Sequence, residues 1–183
     1  LVAALREAVL VDAHSGLILD RWTVLHTARV REVHDAMGDP IVPGALAREE
    51  GDPPTGDDEV DGAYDYAGDA YGYFDRAFDR DGIDGDGMTM VLTAHLGGDL
   101  CPNAFWTGTQ VVICTGVVTD DVTGHELTHG ITQFTAGLIY QNQSGHLNES
   151  FSDIFGELID LYNGNASTAG APGGTTWPTH PTG

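Results

Sequence analysis

Residues 125–129 read His125-Glu-Leu-Thr-His129, and a carboxylate, Glu149, follows inside Asn-Glu-Ser-Phe-Ser-Asp. On a helix the two histidines stand one turn apart on one face, so their imidazoles can share a metal ion. A catalytic zinc takes three protein ligands and keeps a fourth position for water. His125, His129 and Glu149 complete that set. Glu126, between the histidines, is placed to be a base rather than a ligand. Asp153 lies one helical turn after Glu149 and can accept the spare N–H of a ligand histidine, which fixes its tautomer. The chemistry open to such a group is amide hydrolysis. Bound zinc lowers the pKa of water to about 7 and polarises a carbonyl, while a nearby carboxylate takes the proton. The plain alternative is a pair of ordinary polar helix residues. For His14, His26, His34, His95, His146 and His180 the plain reading holds: they are turn, strand or surface residues.

These groups need helices to carry them. Residues 119–134 read as one, with Asp120 and Asp121 in the first turn and Gly137 at or beyond its end. Residues 146–162 read as another, closed by Gly164. Upstream, Val60, Ala63, Tyr64, Ala67, Tyr71, Phe74 and Phe78 recur three or four positions apart behind Asp57, Asp58 and Glu59, an amphipathic helix whose aromatic stripe faces a core. Residues 88–95 and 105–114 are rich in β-branched and apolar types and read as strands. Residues 1–9 read as the end of a helix, and 9–22 as strand, turn and strand about Asp12-Ala-His-Ser-Gly16. The Pro-, Gly- and Asp-rich stretch 38–56 reads as loop. Asp79-Arg-Asp-Gly-Ile-Asp-Gly-Asp-Gly87 fails as an EF-hand, because Ile83 stands at the fifth position and no Glu closes a twelve-residue loop. It reads as a helix exit and turn. Residues 164–183 carry no apolar period and read as a loose tail.

Composition narrows the setting. The 183 residues hold 28 Asp plus Glu against 7 Lys plus Arg, a formal charge of -21. Such a surface repels nucleic acid and anionic membranes, and it can host hard cations such as calcium or serve only as a solvated acidic face. No stretch approaches the ~20 apolar residues of a membrane span. Cys101 and Cys114 flank a β-hairpin turning at Thr107-Gly108, where opposed positions can meet disulfide geometry. A disulfide fits an oxidising, secreted setting; two buried thiols are the alternative. The chain begins at Leu1, with no basic segment and following apolar run, which reads as an excised or processed piece.

The segment Asp121-Val-Thr-Gly-His-Glu-Leu-Thr-His-Gly-Ile-Thr-Gln133, continued through Leu138-Ile-Tyr-Gln141 to Asn148-Glu-Ser-Phe-Ser-Asp153, closely resembles the thermolysin-like zinc metallopeptidases. Asn103-Ala-Phe-Trp106 and Val60-Asp-Gly-Ala-Tyr-Asp-Tyr-Ala-Gly68 extend the resemblance, which covers roughly residues 57–162. It implies an α+β, zincin-like N-terminal lobe over 29–163: a twisted, mostly antiparallel sheet beside the 57–80 helix, with two zinc helices as the floor of an open cleft. His125, His129 and Glu149 then bind zinc, and Glu126 polarises the zinc-bound water and passes its proton to the leaving amine. Tyr140 helps stabilise the oxyanion. Asn103 and the Ala104 carbonyl line up substrate backbone by strand addition. Asp153 supports His125. Asp121 and Asp160 fall where the family places calcium ligands, although Asp160 replaces a usual Glu.

The resemblance also implies a secreted endopeptidase acting on peptide or protein substrate and made as a zymogen. Residues 9–22 look like the end of a propeptide, placed within 1–28, with mature sequence starting near Ala28 to Val33; an ordinary hairpin of the lobe is the alternative. The family's second, helical domain supplies a histidine and an arginine, and nothing after Tyr162 matches them. The expectation is therefore one wall of a cleft, weak or inactive alone and completed by that domain as its partner. A non-catalytic metal-binding fragment or degenerate homologue is the competing reading. The connection from Cys114 to Asp121 is shorter than in thermolysin, leaving Val118 and Val122 to line the pocket beyond the scissile bond.

Overall fold

A computed structural model describes the backbone of residues 4–26 and 28–163 and the side chains of 9–20 and 28–162. In chain order the elements are β1 (Ala4–Val11), β2 (Ile18–His26), β3 (Arg31–Asp35), β4 (Ala45–Glu49), α1 (Asp58–Phe78), β5 (Asp81–Gly82), β6 (Asp86–Met88), β7 (Met90–Leu96), β8 (Ala104–Trp106), β9 (Val111–Cys114), α2 (Asp120–Gln133) and α3 (Asn142–Asn163). The expected α+β lobe is present. Its five-stranded sheet runs β4-β3-β7-β9-β8 and is mixed: the interior pairs β3–β7 and β7–β9 are parallel, and the outer pairs β3–β4 and β8–β9 are antiparallel.

The apolar stripe of α1 packs on this sheet. Asp57 caps the helix by accepting from the Glu59 and Val60 amides at 3.0 Å each, and acidic residues fill the first turn. Val60, Ala63, Tyr64, Ala67 and Phe74 are buried against Val33, Leu92, Val111 and Ile113, with Leu127 and Ile159 adding α2 and α3 to the same core. All four residues of β9 are buried, as befits a strand covered on both faces. Burying each such aliphatic side chain contributes about 1.5–3 kcal/mol.

Several expectations are corrected. The stretch read as the end of a helix forms β1, paired antiparallel with β2 in a separate two-stranded sheet. The stretch read as loop contains β4, and β3 was not anticipated at all. The third helix starts at Asn142, four residues before His146. In the acidic stretch after α1, Asp84 Oδ1 accepts from the Asp86 and Met88 amides at 2.9 and 3.0 Å, so this carboxylate shapes a turn. The disulfide expected between Cys101 and Cys114 is present, with Cα atoms 5.7 Å apart. The tail expected over 164–183, with His180, lies outside the described residues. No described helix is long and apolar enough to cross a membrane.

Candidate active site

The site depends on how closely α2 and α3 approach. A Cβ built on Gly156 would stand 2.7 Å from the Asp121 carbonyl oxygen and 3.2 Å from the His125 nitrogen. A Cβ on Gly124 would stand 2.9 Å from Ile159 Cδ1. Bare backbone on both helices lets them touch there. Glu149, two turns before Gly156 on α3, is thereby carried to the histidine face of α2.

His125 Nε2 lies 3.1 Å from His129 Nε2 and 3.3 Å from Glu149 Oε2, and His129 Nε2 lies 3.6 Å from Glu149 Oε1. Among the described residues, these three form the only group of His, Cys, Asp or Glu whose ligand atoms all lie within 4.8 Å of one another. The other ring nitrogens are committed. His125 Nδ1 lies 3.0 Å from Asp153 Oδ1. His129 Nδ1 lies 2.7 Å from Asn148 Oδ1 and 3.1 Å from Ser152 Oγ. Asn148 Nδ2 donates to the Leu138 carbonyl, so its oxygen faces the ring. Each Nδ1 therefore carries the proton, and both Nε2 atoms present lone pairs to each other and to a carboxylate. Converging lone pairs with no intervening positive charge repel, and a dication resolves that. This donor set fits zinc, with the opposite nitrogens held as metal-bound histidines usually are.

Glu126 points into the same space but is buried, at 7% exposure. Burial pushes its carboxyl up to about 7, opposed by the nearby His129 and by the Trp106 backbone N–H that it accepts. A cation held at the three donors would act in the same direction as His129, favouring the ionised carboxylate. The Tyr140 ring stands edge-on to His129, with centroids 5.9 Å apart, and its hydroxyl donates to Glu149 Oε1. Asn103 immediately precedes and Ala104 opens β8, the edge of the sheet, and no described strand pairs on its far side.

Two cavities meet at this edge. One of about 940 Å³ is lined by Phe105, Trp106, Glu126, His129, Tyr140 and Glu149, and one of about 590 Å³ by Pro102, Val117, Asp121, Val122, Asp153 and Glu157. Asn103, Ala104, His125 and Glu126 border both. Val122 lines the smaller cavity as expected. Val118 does not; it packs toward Gly62 of α1, and Val117 takes the lining position. Asp121 accepts from Thr119 Oγ1 at 2.5 Å, and Asp160 is buried; among the described residues neither joins a three-ligand group. Sequence reasoning missed Asn148 and Ser152. They stand one turn apart on the helix that carries Glu149, a spacing that does not by itself mark them as histidine partners.

Among the described residues, the outlying histidines stay outside the site. His14 is in the β1–β2 turn. His95 faces three carboxylates, Asp35 at 3.0 Å, Asp57 at 3.5 Å and Glu59 at 3.7 Å.

Two family models match in succession: the thermolysin metallopeptidase catalytic domain over residues 47–133, and the alpha-helical domain of the same peptidases over 136–177. The chain belongs to the thermolysin metallopeptidase family. The boundary between the models falls between α2 and α3, so Glu149 and α3 belong to the opening of the helical domain, and the match runs beyond Tyr162. An extracellular metalloprotease of Pectobacterium carotovorum subsp. carotovorum is 45% identical over 141 residues, which cover 73% of this chain and 40% of that protein. A thermolysin of Alicyclobacillus acidocaldarius subsp. acidocaldarius is 37% identical over 145 residues, covering 70% of this chain and 25% of that protein. The solved precursor of protealysin, a metalloproteinase from Serratia proteamaculans, superposes with a TM-score of 0.71 at 38% identity, covering 76% of this chain and 46% of that one. The chain thus spans less than half the length of these relatives.

Proposed function

We propose that this chain carries the metal-binding part of a secreted zinc endopeptidase. The observation that carries the reading is the convergence of His125 Nε2, His129 Nε2 and Glu149 on one point, with both Nδ1 protons held from behind. Zinc held by these three residues supplies a Lewis acid that polarises a carbonyl and eases proton loss from water. The chain's own residues do the rest. β8 offers a substrate peptide an open strand edge, which aligns its backbone beside Glu126. Glu126 accepts a proton and returns it to the departing amine. The Tyr140 hydroxyl, now on Glu149, stands close enough to turn toward a developing oxyanion. Asp153 and Asn148 hold the two imidazoles in one tautomer throughout.

The β1–β2 hairpin fits the end of a propeptide. Leu10, Leu17 and Leu19 are more than half exposed on it, and the solved relative is itself a precursor. Secretion accords with the disulfide and with the extracellular relative. Calcium at Asp121 and Asp160 rests on the family resemblance alone.

Metal analysis beside a casein cleavage assay tests the reading, on wild type and Glu126→Gln. The expected result is one zinc per chain in both, with any cleavage confined to wild type. Stoichiometric metal with no cleavage, even after the rest of the helical domain is supplied in trans, would establish a non-catalytic metal-binding protein. N-terminal sequencing of secreted material tests the propeptide, with a start near residue 30 expected.

A further inference from the structure

β8 is only three residues long, so its ladder to β9 offers few hydrogen bonds. Its place above the cleft depends on other contacts, and many run through Trp106. Trp106 and Glu126 line the same cavity. The Trp106 ring lies over Gly130, where an added Cβ would come within 3.1 Å of ring atom Cζ2. Its indole N–H donates to Gln133 Oε1 at 2.9 Å, and Gln133 Nε2 donates onward to the Gly108 carbonyl at 3.2 Å. Glu126, Gly130 and Gln133 follow one another at helical spacing along a single face of α2, the helix that also carries both histidines. The carboxamide uses both its functions, accepting from the indole and donating to the turn. At the other end of β8 the Cys101–Cys114 disulfide ties the strand's approach to β9. The Gln133 end is tied to α2 itself.

We propose that Gln133 is a positioning residue for substrate: by bridging Trp106 and Gly108 it holds β8 at a fixed distance from the metal-binding helix, so that a peptide paired to β8 meets the site in register. The inference rests on the reading of β8 as the strand that takes substrate. Gln133→Ala removes both bonds. Gln133→Glu keeps the acceptor for Trp106 but turns a second oxygen toward the Gly108 carbonyl.

The test uses the full chain loaded with zinc and two probes. Acetohydroxamate reaches only the metal; a peptide hydroxamate must also lay its backbone along β8. In Gln133→Ala, zinc stoichiometry and acetohydroxamate affinity stay at wild-type values, while the peptide hydroxamate weakens about tenfold, the scale of one lost hydrogen bond. Gln133→Glu weakens it by a comparable factor, because the turn is released. An unchanged ratio of the two affinities in Gln133→Ala overturns the inference, whether neither probe weakens or both weaken alike. A wild-type chain that binds zinc and acetohydroxamate but not the peptide probe overturns it too. A wild-type chain that takes up no zinc removes the metal reading of the site as well.

Discussion

Two clusters of charge sit on this fold, and they are built on opposite principles. Where β3, β4 and α1 meet, Arg31 is buried and bonds both Glu50 oxygens at 2.7 Å, with a third bond to the Tyr64 carbonyl at 3.0 Å. Arg31 and Arg48 both stack on the Tyr64 ring, at 3.6 and 3.7 Å. Every charge there has its opposite within reach, and the ring adds cation–π attraction. Where α2 and α3 meet, two histidines, Glu149 and the buried Glu126 gather, and in the described ion pairs no arginine reaches them. The first cluster is complete as a piece of architecture. The second gathers metal-type donors on one point, which suits it to a cation and marks it as the candidate functional site.

The contrast can be broken at either end. His125→Ala should have the largest effect, abolishing zinc uptake and with it all cleavage, as read by metal analysis; retained stoichiometric zinc would sink the ligand set. Glu126→Gln should lower any cleavage rate by about 100- to 10 000-fold, the usual worth of a general base, while zinc stays bound. Asp153→Ala should weaken zinc about 10- to 100-fold in a competition titration, because His125 loses the partner that fixes its tautomer. In the other cluster, Arg31→Met should cost about 2 kcal/mol in urea unfolding and leave zinc affinity alone.

The smallest effect is a pH effect. The Arg31 bonds hold the Glu50 carboxyl below its ordinary value. A carboxylate lowered on folding stabilises the protein above its unfolded pKa of about 4.3 and loses that contribution as pH falls through its folded value. Glu50→Gln should therefore flatten the acid limb of the stability curve below about pH 4, seen as a smaller drop in Tm on acidification. An unaltered limb would show that the pair carries no linked proton.

How much of this was legible depends on whether the cause was local. The histidine spacing, the Asp57 cap and the α1 stripe are short-range patterns, and each appears where the sequence put it. The misreadings lie where pairing overrides propensity. Residues 4–11, read as the end of a helix, and 45–49, read as loop, are both strands because a neighbour supplies the ladder: β2 for β1, and β3 for β4. Asn148 and Ser152 were missed because an amide or hydroxyl reveals itself as a histidine partner only once the two helices are docked.

The order of residues alone determined which side chains could bind a metal, since helical period places His125 and His129 one turn apart whatever surrounds them. It could not determine that Glu149 reaches them. That was decided by tertiary contact: Gly124 and Gly156 remove the side chains that would hold α2 and α3 apart, and the shared core residues Leu127 and Ile159 draw the helices together. A helix sets spacing along itself through its own hydrogen bonds, but the distance between two helices is set by the shapes of the surfaces that meet.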